Sequence, residues 1–118
     1  MTDHAARLHA IAAKGHFSLE PIAPDRLIEG APMTRTRIDY QQGESVFVGE
    51  WGSDVGAWRV AYDEWEYCTL LEGACELTPD SGAPQLFAAG DSFVIEPGFK
   101  GVWRVLEPMR KTFVIRIG

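Results

Sequence analysis

From Thr36 onward, turn-forming residues cut this chain into short runs at intervals of about 8–12 residues, and that rhythm limits the fold more than any other property. The runs 36–40, 45–51, 56–62, 65–72, 75–78, 85–88, 92–95, 101–106 and 111–117 are rich in β-branched and aromatic residues. Between them lie Gln42-Gly43, Gly52-Ser53-Asp54, Asp63-Glu64, Pro79-Asp80-Ser81-Gly82, Ala89-Gly90-Asp91, Pro97-Gly98 and Glu107-Pro108, all turn signals. No helical period interrupts the series. The expectation is an all-β antiparallel sandwich or barrel occupying 36–118.

The first 35 residues read differently. Positions 3–14 suit a short amphipathic helix capped by Thr2 or Asp3, with Leu8 and Ile11 on one side and Gly15 as its stop. Pro21, Pro24, Gly30 and Pro32 then exclude a long regular element, so 16–35 is expected to be extended, with one or two short strands. Residues 1–35 are therefore an N-terminal arm, laid over a sheet or across a second subunit. A homodimer is expected, because such an arm suits the covering of a sheet edge.

Composition removes several functions. The net charge of −6 opposes nucleic acid, which calls for a basic face. No apolar run nears the ~20 residues of a membrane helix, and the N-terminus lacks a secretory core, so a cytoplasmic location is expected. Cys68 and Cys75, the two cysteines, fit no metal or redox spacing. Reduced thiols are the expectation, with a Cys68–Cys75 disulfide as the alternative.

The stretch 64–73 carries the functional signal. It reads as one strand ending in a turn at Gly73, and alternation places Glu66, Cys68 and Leu70 on one face. If that face lines the core, Glu66 enters it, and a carboxylate drawn inward is paired, protonated or functional. By the same alternation Trp58, Val60 and Tyr62 share a face, as do Gly101, Trp103 and Val105, and Lys111, Phe113, Ile115 and Ile117. Together these sets describe an aromatic-rimmed pocket with one carboxylate and one ammonium.

Glu66, Gly73, Gly90-Asp91, Pro97-Gly98 and Trp103, in that order, resemble the two sequence motifs of a cupin barrel. Six residues separate Glu66 from Gly73, as in the second half of the first motif. Gly90 and Gly98 match the second motif with the proline displaced to Pro97. Cys68, Leu71-Glu72-Gly73, Gly101, Trp103 and Lys111 are similar to small cupins related to (S)-ureidoglycine aminohydrolase and the ethanolamine-utilisation cupin. The resemblance implies an antiparallel double-stranded β-helix (a jelly-roll barrel) with a cavity sized for a small molecule. It also implies where metal-binding histidines would stand: at Arg59 and Ala61 or at Val60 and Tyr62, and at Gly101. None of those positions holds histidine; His4, His9 and His16 are all N-terminal. A first-row metal needs three or four ligands on one wall, so no metal and no cofactor is expected.

The reading is thus a small cupin that binds or converts a small polar metabolite without the usual histidine-held metal. Glu66 and Lys111 are the candidate acid and base, and Trp58, Tyr62, Cys68 and Trp103 the candidate substrate-binding residues. A non-catalytic ligand-binding cupin and a metal-dependent enzyme like ureidoglycine aminohydrolase are the alternatives.

Overall fold

The computed structural model describes residues 7–118, which form nine strands, every pair antiparallel. They are β1 (Ser18–Pro21), β2 (Leu27–Glu29), β3 (Met33–Gln42), β4 (Val46–Ser53), β5 (Gly56–Ala61), β6 (Trp65–Pro79), β7 (Gln85–Ala88), β8 (Ser92–Ile95) and β9 (Lys100–Arg116). Two strands are long enough to serve two sheets. The last part of β9 and the first part of β6 pair with each other and extend outward through β4, β3 and β1 on one side and β8 on the other. The first part of β9 and the last part of β6 do the same with β5 and β2, and with β7. The result is a curled antiparallel sheet whose two leaves face each other.

The corner lies where β6 and β9 bend side by side. Gly73, expected to end its strand, instead lets β6 continue to Pro79, with φ of 81° and register shifts between Leu70 and Cys75. A Cβ on Gly73 would lie 2.2 Å from the Pro108 carbonyl oxygen, so only glycine fits the approach. Glu107-Pro108, expected as a turn, sits within β9 opposite this irregularity. Proline lacks an N–H for the ladder, and a bulge is where that lack does least harm. Turn residues here bend two strands together instead of reversing one.

Trp58, Leu70, Cys75, Leu77, Ile95, Trp103, Val105 and Met109 form the core between the leaves. Removing a side chain such as Leu70 from water contributes ~1.5–3 kcal/mol. The N-terminal segment is part of the same structure: β1 pairs with β3 and β2 with β5.

The expected helix over 3–14 does not form in its described part, since residues 7–14 carry no regular structure; residues 3–6 lie outside the described residues. Leu8 and Ile11 remain 85% and 49% exposed, so no packing supports a helix too short to be stable alone. No helix among the described residues is long and apolar enough to cross a membrane.

Candidate functional site

Between the leaves lies a cavity of ≈ 360 Å³. Its floor is aromatic, with Trp51 from β4, Trp58 from β5 and Trp103 and Phe113 from β9. Tyr62 lies just past β5, held by its N–H donating to the Phe99 carbonyl (2.8 Å) and its carbonyl accepting from the Gly98 N–H (2.6 Å). Thr34 and Thr36 of β3 add hydroxyl groups. Glu20 and Pro21 of β1, then Ile22 and Arg26 on the way to β2, line it together with Glu64.

Glu66 and Lys111 meet on this wall. Lys111 Nζ donates to Glu66 Oε2 at 2.6 Å and to Cys68 Sγ at 3.2 Å. Glu66 and Lys111 are each only 3% exposed. The ammonium also lies over two indole faces, 4.6 Å from the Trp103 ring centre and 5.1 Å from that of Trp51. Such faces attract a desolvated cation, which helps to replace lost hydration. Burial works against the charged lysine and is the largest single influence on it. The Glu66 carboxylate, with Cys68, outweighs burial, so the Lys111 pKa ends above its usual value. Lys111 is therefore a charged donor at neutral pH and not a free amine nucleophile.

The neighbouring groups are held neutral. Burial first, then the Glu66 carboxylate, pushes the Tyr62 phenol well above its ordinary pKa. Burial pushes the Cys68 thiol up to about 12 against the opposing pull of Lys111, and Cys75 up to about 11. Both cysteines are free and buried. The inner wall can thus offer the Glu66 carboxylate, the Lys111 ammonium and the Tyr62 phenol to a ligand seated on aromatic rings, with Glu20, Glu64 and Arg26 also lining the cavity.

Of the residues singled out from sequence, Glu66, Lys111, Trp58, Tyr62 and Trp103 line the cavity. Cys68 touches Lys111 but is not among the lining side chains. Trp51, Thr34, Thr36, Arg26 and Glu20 line the cavity as well, and are not among the residues that the sequence singles out. Alternation along β4 carries the signal for Trp51. The residues of 20–36 carry none, because their place depends on β1 and β2 finding distant edges.

The residues present do not suit a cupin metal. Arg59 points outward to Asp80 at 2.7 Å, so Val60 and Tyr62 are the inward pair of their strand. A Cβ on Gly101 would lie 2.2 Å from the Thr78 carbonyl oxygen, which leaves no room for a side chain. Neither His9 nor His16 lines the cavity, and among the described residues no three His, Cys, Asp or Glu side chains gather as a metal site.

Two bent strands shared between facing antiparallel leaves, with a lined cavity between them, define a cupin. The family model for the EutQ-like cupin domain matches residues 40–113, and the chain belongs to that family. A DUF861-family protein of unknown function from Pseudomonas syringae pv. tomato superposes with a TM-score of 0.79 at 19% identity, covering 89% of this chain and 46% of its own. The Clostridium difficile EutQ protein gives 0.65 at 15% identity, covering 72% of this chain and 63% of its own. A putative ethanolamine utilization protein Q from Salmonella typhimurium gives 0.63 at 14%, covering 92% and 98%. The chain thus spans about half the length of the first of these proteins. At such identities the likeness is one of fold. No functionally curated protein matches the sequence.

Proposed function

We propose that this cupin takes a small polar metabolite into the cavity between its leaves, where Glu66 and Lys111 meet it without a histidine-held metal. The observation that carries the reading is the 2.6 Å Glu66–Lys111 contact on the wall of a ≈ 360 Å³ aromatic cavity. A buried ion pair is costly to desolvate and is a poor choice for stability alone, whereas converging polar groups in an apolar cavity suit recognition. For turnover, Glu66 is the base and Lys111 the donor that steadies negative charge developing on the ligand. Trp58, Trp103 and Tyr62 position it, and Cys68 holds the lysine from behind.

A non-catalytic binder is the second reading, favoured by one observation: Lys111 is already engaged by Glu66, Cys68 and two indole faces. Thermal-shift screening with amino acids, ureides and sugar acids tests the common core of both, because a ligand that binds only the folded state raises Tm. The expected result is stabilisation by one class, lost in Trp58→Ala. If no class stabilises the protein, the ligand reading fails. For any ligand found, Glu66→Gln separates the two: turnover lost with affinity retained identifies an enzyme, and no turnover in either form a binder.

A further inference from the structure

Among the described strands, β7 and β8 each pair with β6 alone, so each leaves one edge free and the leaves stay unjoined on that side. In this open seam lies a second cavity of ≈ 350 Å³, large enough for a small molecule. Its lining shares no residue with that of the first cavity. Phe93 of the one packs on Trp103 of the other, ring centres 6.2 Å apart, so aromatic rings divide the two. The turn at 96–99 closes one end. It is pinned by the Gly98 N–H donating to the Tyr62 carbonyl (2.6 Å), the Tyr62 N–H to the Phe99 carbonyl (2.8 Å) and the Phe99 N–H to the Glu96 carbonyl (3.2 Å). The residues on that turn are therefore set in place by the fold before any ligand arrives.

Three phenylalanines line this cavity: Phe87 and Phe93, stacked with ring centres 4.2 Å apart, and Phe99 on the turn. Among the described residues, Gln85 and Glu96 alone interrupt its apolar lining, and no lysine, arginine or histidine belongs to it. The described ion pairs engage Glu29, Asp39, Glu50, Glu66, Glu72 and Asp80, and none of them engages Glu96. The first cavity shows what such a setting holds in this fold. There a carboxylate and two indole faces surround the Lys111 ammonium. The seam repeats the carboxylate and the rings without a cation of the chain's own.

We propose that the seam cavity binds a small organic cation, an alkylated ammonium. Its apolar groups lie against Phe87, Phe93 and Phe99, and its charge pairs with Glu96. Aromatic rings attract such a cation through their quadrupole, most strongly where water is excluded. Charge complementarity selects the class. An anion is opposed by Glu96 and by the chain's net charge of −6. A metal ion would give up its water to an apolar wall that returns one carboxylate, too few ligands to hold it. An uncharged apolar molecule fills the space but leaves Glu96 unmatched. An alkylated ammonium satisfies both the rings and the carboxylate, because its charge is weakly hydrated and its surface is apolar.

Isothermal titration of the protein with choline, and with dimethylbutanol, its uncharged isostere in which carbon replaces the ammonium nitrogen, tests the proposal. Choline is expected to bind, and the isostere on the order of tenfold more weakly. Glu96→Gln removes the charge from an exposed side chain with little change of shape, so the circular dichroism spectrum stays that of the parent. Its affinity for choline is expected to fall about fivefold. Glu64→Gln alters the lining of the first cavity and is expected to leave choline binding as in the parent. Absence of choline binding overturns the proposal and leaves the seam to a second copy or an extended peptide. Equal affinity for choline and the isostere overturns it too, since the rings alone then account for binding. So does a folded Glu96→Gln protein that binds choline as the parent does, or a loss of binding in Glu64→Gln instead, which would place the cation in the first cavity.

Discussion

Lys111 and Glu66 are not cross-strand partners. Leu70 on β6 and Trp51 on β4 stand opposite Lys111, whereas Glu66 stands opposite Ile115. The lysine side chain runs along the inner face past Cys68, and only its length brings Nζ within 2.6 Å of the carboxylate. The contact therefore depends on the side-chain path and not on register. Lys111→Met is expected to strand Glu66 in an apolar wall, costing ~3–5 kcal/mol of stability. Adding Glu66→Leu should recover most of that loss, because both charges are then gone. Urea midpoints of the parent, single and double variants check this; a double variant no better than the single would contradict it.

Gly73 passes the Pro108 carbonyl at a distance no Cβ tolerates, in a left-handed backbone conformation. Gly73→Ala is expected to cost about 2–4 kcal/mol, the sum of strain and overpacking at the shared corner of β6 and β9. Gly43 also has positive φ but nothing within 4 Å of its added Cβ. Gly43→Ala should therefore cost only the smaller strain. Equal midpoints for the two variants would count against the corner as the reason.

Alkali should weaken the fold through the buried thiols. Cys68 and Cys75 ionise at about 12 and about 11 when folded, against 9.0 when unfolded. Above pH 9 the unfolded chain releases these protons while the folded chain keeps them, so stability falls as pH rises. The slope is at most ~1.4 kcal/mol per pH unit per thiol. Lys111 adds to the fall beyond 10.5, since its folded pKa is raised and the unfolded lysine loses its proton first. Chemical denaturation from pH 9 toward pH 11 reads the slope, and Cys75→Ala should make it shallower. A flat profile in the parent would refute the buried-thiol account.

A metal ligand cannot be restored simply at Gly101. Its inner approach is filled by the Thr78 carbonyl, and even Gly101→Ala is expected to cost ~1–3 kcal/mol. Gly101→His should destabilise at least as much and show no thermal stabilisation by zinc or manganese. A metal-dependent rise in Tm for that variant would mean the strands part more readily than their geometry implies.

Local pattern made much of the barrel readable. Alternation with period two puts Glu66, Cys68 and Leu70 inside, and all three are buried. The same rule held for Trp58, Trp103, Lys111 and Phe113, while Ile117, grouped with the last two, lies 49% exposed beyond the end of β9. Gly73 and Pro108 bend two strands where their sequence context suggests turns, because a turn residue announces a change of direction without saying whether one strand reverses or two bend together. The described part of the expected helix, 7–14, stays irregular because periodicity says nothing about whether a surface exists to receive its apolar side.

Taken alone, the order of residues determined which side chains face inward, since a pleated strand leaves that choice to odd and even position. It also determined that histidine ligands are missing from the barrel motifs. Only the tertiary structure decided that Lys111 reaches Glu66 between two indoles, and that Glu20 and Arg26 come to the same cavity. Those relations join residues up to 91 positions apart, from Glu20 to Lys111, and no local preference encodes them. They arise when burial draws the two leaves together and the pairing of β6 with β9 sets which inner faces meet.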